Sequence, residues 1–119
     1  LFKQFIQQDA VDIVQIDSCR IGGLNEVLGV LLLAHKYQKP VWPHAGGVGL
    51  CEYVQHISMI DYLLISCEKN SKRIEYVDHL HEHFINPCKI NDGKYVAPLE
   101  PGFSIEMKPE TFTNFLHLK

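Results

Sequence analysis

His44 lies between a short apolar segment and a glycine-rich turn, an arrangement that can present an imidazole to a bound ligand. The run is Val41-Trp42-Pro43-His44-Ala45-Gly46-Gly47-Val48-Gly49-Leu50-Cys51-Glu52. A proline favours an extended residue before it, and glycines allow sharp turns or close approach of the backbone to a ligand. The chemistry that an imidazole brings to such a place is proton transfer near neutral pH. A histidine that is only hydrogen-bonded within a loop is the alternative.

Asp17 ends an earlier apolar segment in the same way, 27 positions before His44. One strand-helix unit separates the two residues, and adjacent parallel strands would bring their side chains within hydrogen-bond reach. The alternative for Asp17 is a helix N-terminal cap or a turn residue before Gly22-Gly23. The pair is therefore a candidate site at the carboxyl ends of two strands.

Two other motifs offer weaker chemistry. His79, His81 and His83 alternate, and on a strand this spacing would place three zinc-binding side chains on one face. Acidic residues interrupt them and structural zinc usually takes four ligands, so histidines facing solvent or the edge of a substrate site are preferred. The glycine run after His44 lacks both the G-x-G-x-x-G order and a G-K-[ST] ending, which disfavours a nucleotide site.

Composition limits the class of protein. The chain has 119 residues, 46% of them hydrophobic, which suffices for one core but falls short of the roughly 250 residues of a full (β/α)8 barrel. A net charge of −3 and a pI near 6.1 disfavour nucleic acid. The longest strongly apolar run, Val27 to Ala34, is too short to cross a membrane. Four cysteines without a C-x-x-C pair predict free thiols in a reducing compartment.

The first two thirds of the chain show an α/β rhythm, which predicts two strand-helix units and a further strand with parallel pairing. The predicted helices are 1–8, 24–38 and 50–64, and the predicted strands are 11–16, 41–42 and 61–66, the last overlapping the end of the third helix. Leu24, Val27, Leu28, Leu31 and Leu32 are expected on one face of the second helix.

The last third has a different texture. An Asp92-Gly93 turn predicts a β-hairpin between residues 88–90 and 95–97, and a terminal helix is predicted over Thr111 to Leu118. Without a linker or repeat, residues 1–119 are expected to form a single partial domain. The chain opens at Leu1 inside a predicted helix, so a preceding portion is expected, and the open sheet edge requires the rest of a barrel.

Three ordered motifs resemble the enolase superfamily, mandelate racemase subgroup, and within it the L-fuconate dehydratases. They are Asp17-Ser18-Cys19-Arg20-Ile21-Gly22-Gly23, Pro43 to Glu52, and Ile74-Glu75-Tyr76-Val77-Asp78-His79-Leu80-His81-Glu82-His83-Phe84. The similarity runs from about Phe2 to Met107. It implies the C-terminal part of a (β/α)8-type barrel, about strands six to eight with a terminal hairpin extension. Members of this family bind Mg²⁺ through acidic residues on strands three to five and carry a lysine pair on strand two. Those metal ligands and lysines are expected upstream of this chain, so no metal ligand is assigned here.

The resemblance also implies roles for three residues. His44 matches the strand-seven histidine that acts as acid/base, and Asp17 matches the strand-six aspartate that orients it. Glu75 matches an acidic residue near the substrate carboxylate or the enediolate oxygen. The alternative for Glu75 is a surface carboxylate paired with Lys72 or Arg73.

The implied activity is Mg²⁺-dependent dehydration of a sugar acid, L-fuconate by similarity, through α-proton abstraction and an enediolate. It belongs to the full-length enzyme, and the fragment alone is expected to be inactive. The implied location is mitochondrial, with the cytoplasm as alternative, and a homo-oligomer of the full-length enzyme stays open. The alternative function is a non-catalytic truncated barrel that acts as an interaction module through its open edge.

Overall fold

A computed structural model describes residues 1–70 and 72–115 of the chain. It contains four α-helices, a π-helical turn, a short 3₁₀-helix and a two-stranded hairpin. The elements are α1 (Phe2–Gln7), α2 (Leu24–Lys36), α3 (Leu50–Ile60), the π-helical turn (Asp61–Ser66), the 3₁₀-helix (His81–His83), β1 (Ile90–Asn91), β2 (Lys94–Tyr95) and α4 (Pro109–Phe115). None of the described helices is long and apolar enough to cross a bilayer.

The two predicted strands 11–16 and 41–42 pair in parallel, as expected, but over a short stretch. Val14 and Val41 form a parallel bridge. Around it, Val14 N–H donates to the Pro40 carbonyl at 2.9 Å and Trp42 N–H donates to the Val14 carbonyl at 3.0 Å. Helix α2 is the helix that lies between the two extended segments, so the chain crosses from one to the next through a single helix.

A main core lies between the two paired segments and helices α1, α2 and α3. Its buried residues are Ile6, Val14, Ile16, Val27, Val30, Leu31, Ala34, Val41 and Ile57. The prediction that Leu32 lies on the apolar face of α2 was wrong, since Leu32 is 57% exposed. Leu32 is five residues after Val27, about 140° further around a helix of 3.6 residues per turn, so it points away from the face that Val27 and Leu31 share.

The prediction of a third strand over Asp61–Ser66 was wrong. The segment continues the turns of α3 as a π-helix, and Tyr62, Leu63 and Leu64 are exposed. A brief apolar run is compatible with a helix end as well as with a strand, and length alone did not separate them. The place beside the second extended segment is taken instead by residues near Glu75, whose N–H donates to the Pro43 carbonyl at 3.3 Å.

The hairpin prediction is confirmed. Ile90 pairs with Tyr95 and Asn91 with Lys94, and both turn residues, Asp92 and Gly93, have positive φ angles of 49° and 68°. That backbone is the type I′ turn which Asp-Gly favours. Helix α4 covers the described part of the predicted terminal helix, whose residues 116–118 lie outside the described range. All four cysteines are free thiols, as predicted.

Candidate active site

The parallel pairing brings Asp17 and His44 to the same edge of the sheet. His44 N–H donates to the Ile16 carbonyl at 2.9 Å, so each polar residue sits where its own extended segment ends. The segment containing Glu75 lies on the other side of residues 43–44 through its hydrogen bond to the Pro43 carbonyl. The structure therefore brings together all three residues that the sequence singled out.

Glu75 makes the short contact to the imidazole. Its Oε2 lies 2.6 Å from His44 Nδ1 and also accepts a hydrogen bond from the Ala45 N–H at 2.7 Å. The side chains of His44 and Glu75 are 31% and 36% exposed, so both remain open to a ligand. Because a carboxylate only accepts hydrogen bonds, this contact places a proton on Nδ1 and leaves Nε2 able to accept a proton from a ligand.

Asp17 faces the other ring nitrogen at a longer distance. Its Oδ2 is 3.9 Å from His44 Nε2, beyond hydrogen-bond length, so the expected hydrogen bond between the two is not formed here. Asp17 is engaged locally instead: Oδ1 accepts from the Cys19 N–H at 2.9 Å and Oδ2 contacts Arg20 Nε at 3.0 Å. Asp17 is therefore both a turn residue, through its bond to Cys19, and a neighbour of the His44 ring.

Gly46 leaves the space that the His44 ring occupies. A Cβ added at Gly46 would lie 2.6 Å from His44 Cε1 and 3.0 Å from Nε2, closer than non-bonded atoms approach. The absence of a side chain at Gly46 thus allows the His44 ring to occupy its observed position. Gly49 has a separate task, because its φ of 75° begins α3 and favours a residue without Cβ.

Tyr95 supports Glu75 from the hairpin, a contact that the sequence did not reveal. The Tyr95 hydroxyl donates to the Glu75 carbonyl at 2.6 Å. Burial of the phenol, reinforced by the neighbouring Cys51, raises the pKa of Tyr95 above its ordinary value, so the hydroxyl stays a neutral donor. The hairpin therefore contributes to the placement of the site.

The alternating histidines do not form a zinc site together. They lie in and before a 3₁₀-helix rather than on a strand, which removes the shared face. His81 contacts Glu52 Oε1 at 2.6 Å and the Val77 carbonyl at 2.8 Å, whereas His83 contacts Thr111 Oγ1 at 3.2 Å. The two side chains thus serve separate neighbours.

Glu52 is a functional candidate that sequence reasoning missed. It is only 1% exposed, although it is a carboxylate on α3. Its Oε1 also accepts from the Cys88 N–H at 3.3 Å. Burial of the thiol, together with the Glu52 charge, raises the pKa of Cys88 to about 12. The sequence signal was present but weak: Glu52 falls between Cys51 and Val54 on the buried side of the helix.

The described residues do not fit a magnesium site. Mg²⁺ requires near-octahedral oxygen ligands, usually including carboxylates. In the described residues, 1–70 and 72–115, three candidate ligand atoms lie within 4.8 Å of one another, and they belong to Cys51, His81 and Cys88. These residues offer sulfur and nitrogen rather than oxygen. Asp17 and Glu75 are committed to main-chain N–H groups and flank the imidazole.

Comparison with known proteins gives consistent matches. The family model described as "Enolase C-terminal domain-like" matches residues 1–111. The L-galactonate dehydratase of Hypocrea jecorina is 56% identical over 115 residues, which cover 97% of this chain and 25% of that protein. Human mitochondrial enolase superfamily member 1 is 53% identical over 111 residues, covering 93% of this chain and 25% of that protein.

The crystal structure of the human mitochondrial enolase superfamily member 1 has the same fold over the shared region. The TM-score is 0.89 at 54% sequence identity, and the match covers 92% of this chain and 25% of the other. The chain thus spans about a quarter of the length of these relatives.

Proposed function

The chain belongs to the enolase C-terminal domain-like family, and from this premise we propose that it supplies about strands six to eight of the barrel of a sugar-acid dehydratase. The segments ending at Asp17 and His44 take the places of strands six and seven. The segment around Glu75 takes the place of strand eight, because its N–H donates to the Pro43 carbonyl. The hairpin at Ile90–Tyr95 is the terminal extension.

His44 is the acid/base residue of this proposal. The observation that carries it is the Nδ1 contact to Glu75 at 2.6 Å, which fixes the ring and leaves Nε2 free to exchange a proton with a substrate. In a dehydration, the proton α to the carboxylate is removed and the 3-hydroxyl leaves as water. Nε2 takes this α proton and passes it to the 3-hydroxyl, and the enol that remains tautomerises to a 2-keto-3-deoxy acid.

The two carboxylates have different tasks. Asp17 Oδ2, at 3.9 Å from Nε2, stabilises positive charge on the ring when Nε2 carries a proton. Glu75 holds Nδ1 and, with 36% of its side chain exposed, lies beside the substrate carboxylate or the enediolate oxygen. Glu75 thereby orients the imidazole of His44, in the way that a hydrogen-bonded side chain orients the base in other catalytic sites.

Magnesium enters as cofactor of the whole protein, with its ligands outside these 119 residues. When bound, such an ion stabilises negative charge that develops on a carboxylate-bearing substrate. The steps assigned to this chain are proton transfer at His44 and its orientation by the two carboxylates.

The substrate class is a sugar acid, and we propose L-fuconate as the specific substrate. One relative is named an L-galactonate dehydratase, and L-fuconate is 6-deoxy-L-galactonate, so the two candidates differ by one hydroxyl. A mitochondrial location is proposed on the name of the human relative.

The test is turnover by the full-length protein with Mg²⁺ on a panel of acid sugars that includes both compounds, measured as formation of 2-keto-3-deoxy acid. We expect His44→Asn to lower kcat at least about 100-fold, the lower end of what a positioned acid/base group contributes. His35→Asn, an exposed histidine on α2, is the matched control and should keep full activity. Undiminished turnover by a folded His44→Asn variant would remove His44 from the mechanism.

A further inference from the structure

A second cluster of reactive side chains lies apart from His44 and Asp17. Cys51 on α3, His81 in the 3₁₀-helix and Cys88 just before β1 place one ligand atom each within 4.8 Å of the other two. Cys51 lies 30 and 37 positions before the other two, so it meets them only in the folded chain. Two thiols and an imidazole form a donor set that suits zinc and does not suit magnesium.

The spacing of the donor atoms agrees with tetrahedral zinc. Bonds of roughly 2.3 Å to sulfur and 2.0 Å to nitrogen set neighbouring ligand atoms about 3.3–3.8 Å apart. Cys88 Sγ lies 3.7 Å from His81 Nδ1, inside this range. With all three atoms within 4.8 Å of one another, an ion needs only small side-chain movements to contact each of them.

The surroundings orient His81 for this task. Its Nε2 faces the Val77 carbonyl at 2.8 Å, and since a carbonyl only accepts, Nε2 carries a proton. Nδ1 faces Glu52 Oε1, which also only accepts, so a metal ion binds at Nδ1 by displacing a proton from it. A metal-bound histidine usually donates a hydrogen bond from its other ring N–H to a carbonyl or carboxylate, as His81 does here to Val77.

Glu52 adds negative charge at the same point. Its Oε1 is 2.6 Å from His81 Nδ1, and the residue is 1% exposed. A divalent ion at Nδ1 takes the place of the proton in this contact and lies next to a buried carboxylate. Cys51 is also buried, whereas His81 and Cys88 are half-buried and leave a route from solvent.

We propose that Cys51, His81 and Cys88 bind one zinc ion, which ties α3 to the segment that leads into the hairpin. Binding releases the two thiol protons and the proton on His81 Nδ1, because a coordinated cysteine is a thiolate and a coordinated imidazole nitrogen carries no proton. The ion has a structural role. No electron transfer or covalent step is involved.

Cobalt is the probe that separates this site from any oxygen-ligand magnesium site. The full-length protein is reduced, treated with EDTA and titrated with Co²⁺ alone, and thiolate-to-cobalt charge-transfer absorption is recorded. We expect one Co²⁺ per chain with this absorption, and its loss on addition of Zn²⁺. Only a thiolate ligand produces the band, so cobalt at a carboxylate site stays silent.

Variants assign the band to the cluster. Cys88→Ser should lower cobalt affinity at least about 100-fold, more than the 10–100-fold loss expected from removing a hydrogen-bond partner of a ligand. Cys67→Ser changes an exposed cysteine outside the cluster and should keep the band. His81→Gln gives a second test that leaves both thiols in place.

Two results would overturn the proposal. One is a wild-type protein that is folded by circular dichroism yet shows no charge-transfer band at saturating Co²⁺. The other is a band that persists unchanged in both Cys88→Ser and His81→Gln.

Discussion

The two nitrogens of the His44 ring face different carboxylates at different distances. Glu75 Oε2 is at hydrogen-bond distance from Nδ1, whereas Asp17 Oδ2 is 3.9 Å from Nε2. Orientation of the ring therefore depends on Glu75, and Asp17 acts on charge across a gap. Removing the Glu75 carboxylate should therefore affect the His44 ring more than removing the Asp17 carboxylate.

We expect Glu75→Gln to reduce kcat of the full-length enzyme by roughly 100-fold or more and Asp17→Asn to reduce it less. Glutamine keeps an oxygen that can accept from the Ala45 N–H but loses the charge that holds Nδ1–H at 2.6 Å. Asparagine at position 17 can still accept from the Cys19 N–H, and Asp17 has no hydrogen bond to the ring to lose. Steady-state kinetics on the accepted sugar acid measures both. Equal losses, or a larger loss in Asp17→Asn, would contradict this division of roles.

Gly46 provides a test of ring placement without touching a charged group. A Cβ there would lie 2.6 Å from His44 Cε1, so Gly46→Ala must displace the imidazole. A misplacement of about 1 Å can lower the rate roughly 100-fold. The matched control is Gly29→Ala, since a Cβ at Gly29 meets no atom within 4 Å. We expect kcat to fall in Gly46→Ala and to stay unchanged in Gly29→Ala, with both proteins folded by circular dichroism.

At the scale of elements, helix α2 offers a test of which face packs on the core. Leu31 is 1% exposed and Leu32 is 57% exposed, although they are adjacent and chemically identical. We expect Leu31→Ala to lower the free energy of unfolding by about 2–5 kcal/mol and Leu32→Ala by less than about 0.5 kcal/mol. Urea unfolding followed by circular dichroism compares them. Similar losses in both variants would show that the two faces are equally buried.

Local patterns in the sequence were enough to predict some elements but not others. The hairpin followed from Asp92-Gly93, because that pair adopts the positive φ angles of a type I′ turn. The parallel pairing of the segments before Asp17 and His44 followed from the helix between them. The segment Asp61–Ser66 was assigned to the wrong class, since a short apolar run does not distinguish a helix end from a strand.

In the candidate site too, the sequence predicted some features and missed others. Asp17 and His44 could be found because each follows an apolar segment, and Glu75 because it matches a family motif; the structure brings the three together. Which carboxylate bonds to the ring depends on side-chain geometry between remote segments, which no local pattern encodes. Glu52 and Tyr95 were missed for this reason, because their partners lie 29 and 20 positions away.

At the scale of the whole molecule, large apolar side chains remain exposed at several places in the described part of the chain. Leu64 and Leu99 are 77% and 95% exposed, and Leu63 and Phe5 are also exposed. Leu63 and Leu64 are adjacent, and neighbouring exposed apolar side chains can form part of an interface. In a complete barrel this surface would meet other strands and helices. In a non-catalytic fragment it would meet another protein.

We expect the 119-residue chain expressed alone to self-associate and to elute from size exclusion above its monomer mass of 13.6 kDa. The double variant Leu63→Lys/Leu64→Lys adds charge to an exposed part of this surface and should shift elution toward the monomer. A wild-type chain that elutes as a monomer at high concentration would contradict the expectation.

The hydrogen bonds of the site join distant parts of the chain, and this sets the order in which the site can come into being. Glu75 reaches Ala45 across 30 positions, and Tyr95 reaches Glu75 across 20. Synthesis proceeds at roughly 5–20 residues per second, so His44 emerges roughly 3–10 s before Tyr95. During that interval the imidazole exists without the carboxylate clamp and without the hairpin behind it. The arrangement of side chains around His44 is therefore a late product of folding, completed only when the C-terminal segments pack beside residues 43–45.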